Sequence, residues 1–239
     1  MPIAFTQYVG TVGMAALVIA FAAATTLAQN TTVSEFDPTI WASYDVNSRV
    51  RLDLITGREE SDDIGSAKWK MTTGVSFRFK SAFPTLLDMI DSDKQHVLVI
   101  GTYYQYSRGQ DASGTTIEHR AIVEATGRYC INSFLITDRN RIEFRRVNGD
   151  YRFRYRNLAI VERPLRVKGF KVAPFGTAEA FWDKDLSKFN QFRFSAGVIV
   201  PVWRKISISP YFERAHCISC AHTDTNVAGL LVHLFFKRK

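Results

Sequence analysis

Charge is missing from the first 34 residues, and Glu35 is the first charged side chain. Beyond it, no apolar run approaches the ~20 residues of a membrane-spanning helix, which excludes a bundle of such helices. Cysteine is scarce. Cys130, Cys217 and Cys220 make an odd count, and three residues do not make a disulfide framework. Seven prolines and 14 glycines are too few for a disordered or collagen-like chain. No internal repeat, no low-complexity tract and no capped 3.6-residue period interrupts the chain after residue 35. Zinc-like spacing is also lacking. The segment His216-Cys217-Ile218-Ser219-Cys220-Ala221-His222 is too tight for an ordinary two-plus-two zinc site. Ala221 separates its second cysteine from the histidine that haem attachment would need. A local Cys217–Cys220 disulfide or a pair of free thiols is expected there, with no metal and no cofactor.

What the chain does contain is a charge of +8 over 239 residues and an abundance of rings: 18 Phe, 9 Tyr and 4 Trp. Residues 14–24 form an apolar run, followed by Thr26-Leu27-Ala28. This is the pattern of a secretory signal peptide cleaved after Ala28, although its first ten residues lack Lys and Arg. The competing reading is an uncleaved helix anchored in the inner membrane. The expected organisation is a signal peptide over 1–28, an N-terminal extension over 29–38, a β-barrel domain over 39–236 and a basic tail over 237–239.

After residue 35 nearly every segment has the two-residue period of a strand. Trp69, Met71, Thr73, Val75, Phe77 and Phe79 share one parity, and Lys70, Thr72, Gly74, Ser76, Arg78 and Lys80 share the other. Arg152, Arg154 and Arg156 likewise oppose Tyr151, Phe153 and Tyr155. Eleven such segments are delimited by turn residues: 39–46, 49–60, 67–80, 96–107, 115–127, 133–147, 150–164, 170–182, 188–200, 204–214 and 224–236. Residues 81–95 read as a loop with one helical turn. Bacterial single-chain barrels have even strand numbers. The expectation is therefore an all-β, closed, up-and-down antiparallel transmembrane β-barrel of 10–12 strands, with twelve favoured.

Many segments exceed the five or six residues usual in soluble sheets and match the ~9–11 needed to cross hydrocarbon at a tilt. Backbone polar groups in lipid must all be paired, so such strands have to close into a barrel. Arg at the lipid midplane costs ~2–4 kcal/mol, so the Arg-bearing parity must face the lumen. Rings near strand ends (Trp41, Trp69, Tyr103, Tyr104, Tyr151, Trp182, Trp203 and Tyr211) resemble the aromatic girdles of such barrels. A soluble exported barrel that binds an apolar ligand would invert both faces.

The order Trp41, Glu118-His119-Arg120, Arg139-Asn140-Arg141-Ile142-Glu143-Phe144-Arg145, Arg152-Phe153-Arg154-Tyr155-Arg156, Glu179-Ala180-Phe181 and Asn190-Gln191-Phe192-Arg193 resembles the bacterial family known as domain of unknown function 2490. The similarity spans roughly 39–236. It departs where Gln191 rather than Arg follows Asn190, and where the chain ends in Lys237-Arg238-Lys239 rather than on a Phe. The resemblance implies an outer-membrane β-barrel of a Gram-negative bacterium, and no reaction.

By parity the charged lumen lining is Glu118, Arg120, Glu124, Arg139, Arg141, Glu143, Arg145, Arg152, Arg154, Arg156, Glu179, Arg193 and Glu213. Mixed signs favour cross-strand ion pairs that fix register. The alternative is a narrow, anion-leaning, porin-like passage. Interleaved Glu argues against nucleic acid as a partner. Membrane lipids and the outer-membrane assembly machinery are the expected partners. A lipid hydrolase would need a base, and His119 is the candidate, with Asp138 and Asn140 on the same face of the next strand. Its parity points away from the lumen, and no enzyme activity is expected.

Overall fold

The computed structural model describes residues 32–61, 66–83, 91–111, 114–167, 169–219 and 223–237. The proposed signal peptide, Cys220 and residues 238–239 lie outside the described residues. Twelve strands follow one another: β1 (Thr32–Asp45), β2 (Val50–Ser61), β3 (Ser66–Ser81), β4 (His96–Asp111), β5 (Gly114–Ile131), β6 (Phe134–Val147), β7 (Asp150–Glu162), β8 (Leu165–Val167), β9 (Phe170–Asp183), β10 (Lys188–Trp203), β11 (Ile206–Cys217) and β12 (Asp224–Lys237). Apart from β7 and β8, which both pair with β9, neighbours in sequence pair as hairpins, and the sheet closes through β12 and β1.

The eleven segments expected from the sequence correspond one to one with the staves of this barrel. The twelfth strand is not an additional stave. Glu162 opposes Phe175 and Leu165 opposes Val172, so β7 and β8 keep one register against β9. Pro164 lies between them and has no N–H to donate, which breaks the ladder without ending the strand. β1 also begins before the predicted start at 39. It pairs at Glu35↔Ser61 and Phe36↔Glu60, and pairing resumes at Thr39↔Gly57 beyond Pro38. Most of the predicted N-terminal extension is thus the first half of a stave.

An odd stave number has a geometric consequence. The ten pairings from β1 round to β12 are all antiparallel. After ten reversals β12 runs in the same direction as β1, so the closing seam is parallel. Side chains across it agree. Tyr211, in register with Gly229, bonds Asp37, and His233 bonds Ser43. The two strand positions therefore advance together. β1 starts at one rim, here the N rim, and β12 ends at the other, the C rim. The two ends of the barrel accordingly leave from opposite rims.

Polarity follows the parity expected from the sequence. Leu52, Leu54, Trp69, Met71, Phe77, Phe79, Ile142 and Phe144 are exposed on the outside, while Arg51, Arg78, Thr72, Ser76, Glu118, Arg120 and Glu143 are buried. Phe144 and Phe153 pack edge to face on the outer wall, with centroids 5.5 Å apart. A soluble barrel has the reverse arrangement.

Three of the rings assigned to girdles belong inside instead. Trp41, Tyr103 and Tyr211 line the lumen. Two glycines make room for Tyr103: a Cβ on Gly74 or Gly101 would overlap its ring, and one on Gly229 would overlap that of Tyr211.

Candidate functional site

The lumen contains two clusters of ionic contacts. The first is strand-borne and lies toward the N rim. Glu143 on β6 is fully buried and accepts from Arg120 on β5 (3.2 Å) and Arg156 on β7 (2.8 Å). Arg120 also donates to Glu118 (2.8 Å), which receives Arg145 as well (2.5 Å). Arg156 continues to Glu179 on β9 (2.7 Å). Glu124 receives Arg141 at 2.6 Å and faces Arg139 at 3.8 Å. Arg154 faces Asp183 at 3.5 Å, and Arg193 on β10 faces Glu213 on β11 at 3.3 Å. The Phe181 ring is covered by the guanidinium groups of Arg154, Arg156 and Arg193, at 5.7, 4.6 and 5.0 Å. That ring links the pairs on β7 to those on β10.

Twelve of the thirteen residues expected to line the lumen take part in these pairs. Arg152 does not: it is exposed beside the Asn148-Gly149 turn, where the hairpin leaves the barrel wall. The structure adds groups that the sequence reading left out. Lys70 bridges Asp37 and Glu59, each at 2.9 Å. With Asp37, Glu59 and Asp183 counted, the apparent surplus of positive charge largely disappears.

The second cluster is loop-borne and fills the C-rim end. Its core is a 3₁₀ turn just before β4, Ser92–Gln95, capped by the Asp91 side chain and bonded to the inner wall. Arg51 on β2, with 1% of its side chain exposed, donates to Asp91 at 2.8 Å and to Asp45 at 2.8 Å. Arg78 on β3 bonds Asp45 and also Asp93, the latter at 2.5 Å. Ser92 donates to Asp45, at 2.7 Å. Arg128 on β5 donates to the Asp93 carbonyl at 3.0 Å, and Lys94 reaches Glu162 on β7 at 2.5 Å. The turn is thus tied to five staves. Burial of Asp91 works against its charged form, but Arg51 outweighs this and holds the carboxyl well below the usual carboxylate range. A cavity of about 450 Å³ lies between the two clusters, lined among others by Lys70, Tyr103, Arg139, Tyr211, Glu213 and His233.

At the seam, Ser43 donates to Asp53 at 2.6 Å and meets His233 Nε2 at 2.8 Å. Trp41 donates to the same Asp53 oxygen at 2.8 Å and stacks on His233, with centroids 4.2 Å apart. The pairing has the look of a nucleophile and base, but the serine hydrogen has a carboxylate to bond. Ser43 is also 1% exposed and does not line the cavity. The arrangement works as a clasp across the parallel seam.

His119 faces outward and bonds Tyr104 at 2.6 Å. Asp138 shares that face but lies opposite Gly127, whereas His119 lies opposite Arg146. The eight positions between them amount to ~26 Å along the strand, so the two are not brought together. Asp138 instead accepts from Asn140 (3.0 Å) and Asn157 (2.7 Å), a self-satisfied polar patch on the outer wall. His216 bonds Asp224 at 3.0 Å. Cys217 is buried and disulfide-bonded, Cys130 is free, and Cys220 lies outside the described residues. No group of metal-binding side chains occurs among the described residues.

No curated protein matches the sequence. Solved structures with a similar fold include the β domain of the Bordetella autotransporter BrkA, at 13% identity over 75% of this chain and 81% of that one, with a TM-score of 0.46. The KdgM porin, in complex with disordered oligogalacturonate, is 12% identical over 74% and 81%, with a TM-score of 0.43. LpxR from Salmonella typhimurium is 7% identical over 78% and 83%, with a TM-score of 0.46. A family profile described as protein of unknown function, DUF2490, matches residues 40–216. That stretch runs from the first stave into the tenth and carries most of the lumenal ion pairs, so the chain belongs to the DUF2490 family.

Proposed function

We propose that this protein is an outer-membrane β-barrel with a closed lumen, serving as a structural component of the envelope and carrying out no reaction. Outer-membrane location is supported by the outward apolar wall together with the secretory pattern of residues 14–28. One observation carries the closed lumen: the inward turn Ser92–Gln95, which is bonded to Arg51, Arg78, Asp45, Arg128 and Glu162 around the circumference. A passage for solutes needs sites that release as readily as they bind. Here the charged groups are committed to one another, and the signs nearly balance, which gives an anion no advantage.

Conductance in planar lipid bilayers tests the proposal. The parent barrel should give no channel steps. The double variant Asp91→Asn/Asp93→Asn removes the charges that dock the turn, leaves Asp45 on Arg51 and Arg78, and should produce steps. A steady ion-selective current through the parent protein would overturn the closed-lumen reading.

A further inference from the structure

The two rims differ in their exposed charge. At the C rim, Arg49, Lys80, Arg163, Arg166, Arg204 and Lys205 are all exposed. The carboxylates at the rim itself point inward: Asp45, Asp91, Asp93 and Glu162 are bonded to Arg51, Arg78 and Lys94, while the outward Asp138, four residues down β6 from Phe134, is taken up by Asn140 and Asn157. No exposed acid stands among the cations in the described residues. The N rim is mixed. Arg58, Arg108, Arg146, Arg152, Lys184 and Lys188 are exposed there, but so are the acids Glu60, Asp150 and Asp185, with Arg58 paired with Glu60 at 2.7 Å and Arg214 facing Asp224 at 3.6 Å.

The C-rim cations also adjoin outward rings. Lys80 follows Phe79, Arg204 follows Trp203 and Lys237 follows Phe236, with the three rings 47, 72 and 43% exposed. The Arg163 guanidinium lies 5.2 Å from the centre of the Phe134 ring. Rings of this kind sit at the edge of the hydrocarbon, and a cation one residue farther out reaches the headgroup layer.

We propose that the C rim is a docking surface for phosphate-bearing anionic lipid headgroups of the surrounding leaflet. The cations are spread around the outer circumference, from the β1–β2 turn to the end of β12, and a leaflet that encircles the barrel can meet all of them at once. A rigid polyanion lying across the rim would reach only a few. Basic side chains near a membrane surface each add to attraction for anionic lipid, and the effect is screened within a Debye length. The inference rests on membrane insertion of the barrel and not on closure of the lumen, so a current in the bilayer experiment leaves it standing.

The test is lipid selectivity of the reconstituted protein. Trace spin-labelled phosphatidylglycerol and phosphatidylcholine are compared in phosphatidylcholine bilayers, and the motionally restricted fraction at the barrel surface is measured. At low salt the parent should prefer phosphatidylglycerol by about fivefold or more. The preference should fall toward unity in about 1 M sodium chloride. Arg204→Gln/Lys205→Gln alters only a turn and keeps the fold, and it should lower the preference. Adding Arg163→Gln and Arg166→Gln should abolish it. Arg58→Gln/Arg108→Gln at the N rim should leave it unchanged. Equal retention of both lipids by the parent, or loss of selectivity only in the N-rim variant, would overturn the proposal. So would displacement of the lipid by inorganic phosphate beyond the effect of chloride at equal ionic strength, because that result would point to a discrete phosphate site.

Discussion

The N-rim cluster and the C-rim cluster both fill the lumen with ion pairs, but they hold different things together. In the first, each charge is carried by a stave, and its partners lie mostly on adjacent staves. Glu143, for example, joins β5, β6 and β7. In the second, the carboxylates Asp91 and Asp93 come from a connection, and their partners are on β2 and β3. The first cluster fixes the register of the wall, and the second fixes the position of a turn against that wall. Damage to the first should therefore appear as loss of folding stability, and damage to the second as loss of closure.

The largest effect is expected from Glu143→Leu. It removes the shared acceptor of Arg120 and Arg156 in a buried site, and breaking such a pair costs about 3–5 kcal/mol. A marked fall in the urea midpoint of the detergent-folded protein would show it, and an unchanged midpoint would deny the network its structural role. Gly229→Ala comes next. The added methyl must displace the Tyr211 ring beside the seam, at about 1–3 kcal/mol, read from the same unfolding curve.

Asp91→Asn/Asp93→Asn should cost less in stability but should open the lumen to current, which separates the two clusters most sharply. Acid provides a version of this experiment without mutation. The folded pKa of Asp91 lies below the unfolded value near ~3.9. Its contribution is therefore complete above that value and fades only as the pH drops toward the folded pKa. The parent barrel should stay closed from neutral pH down to about pH 4 and begin to conduct only in stronger acid. Arg152→Ala, at the exposed N-rim turn, should shift stability by no more than about 0.5 kcal/mol.

How much of this was legible in the sequence follows the same division. A stave-borne charge declares itself through the two-residue period, and Glu118, Arg120, Glu143 and Arg156 were all placed on the inner face by parity. Arg51, Asp53 and Arg78 obey that period too and could have been read from the exposed Leu52, Leu54, Phe77 and Phe79 beside them. Their loop partners could not, because Asp91 lies 40 residues from Arg51 in a segment with no period. Strand number shows a different limit. The eleven segments were visible, but the rule of even counts favoured twelve, and only the register across Pro164 shows that β7 and β8 form one stave. The parallel seam was invisible for the same reason, since it exists only because the stave count is odd. Tyr103 and Tyr211 do not belong to a girdle because each lies in the middle of its strand, β4 and β11, and not at an end. The recesses at Gly74, Gly101 and Gly229 are what put them inside.

The most direct measurement is a spin-label scan along β3, at positions 71, 72, 75, 76 and 77, in the reconstituted protein. Labels replacing Met71, Val75 and Phe77 should be readily relaxed by oxygen dissolved in the bilayer, and labels replacing Thr72 and Ser76 should be shielded from it. Relaxation that is equal at all five positions, or strongest at 72 and 76, would contradict a barrel with its apolar side chains in lipid and its charges enclosed.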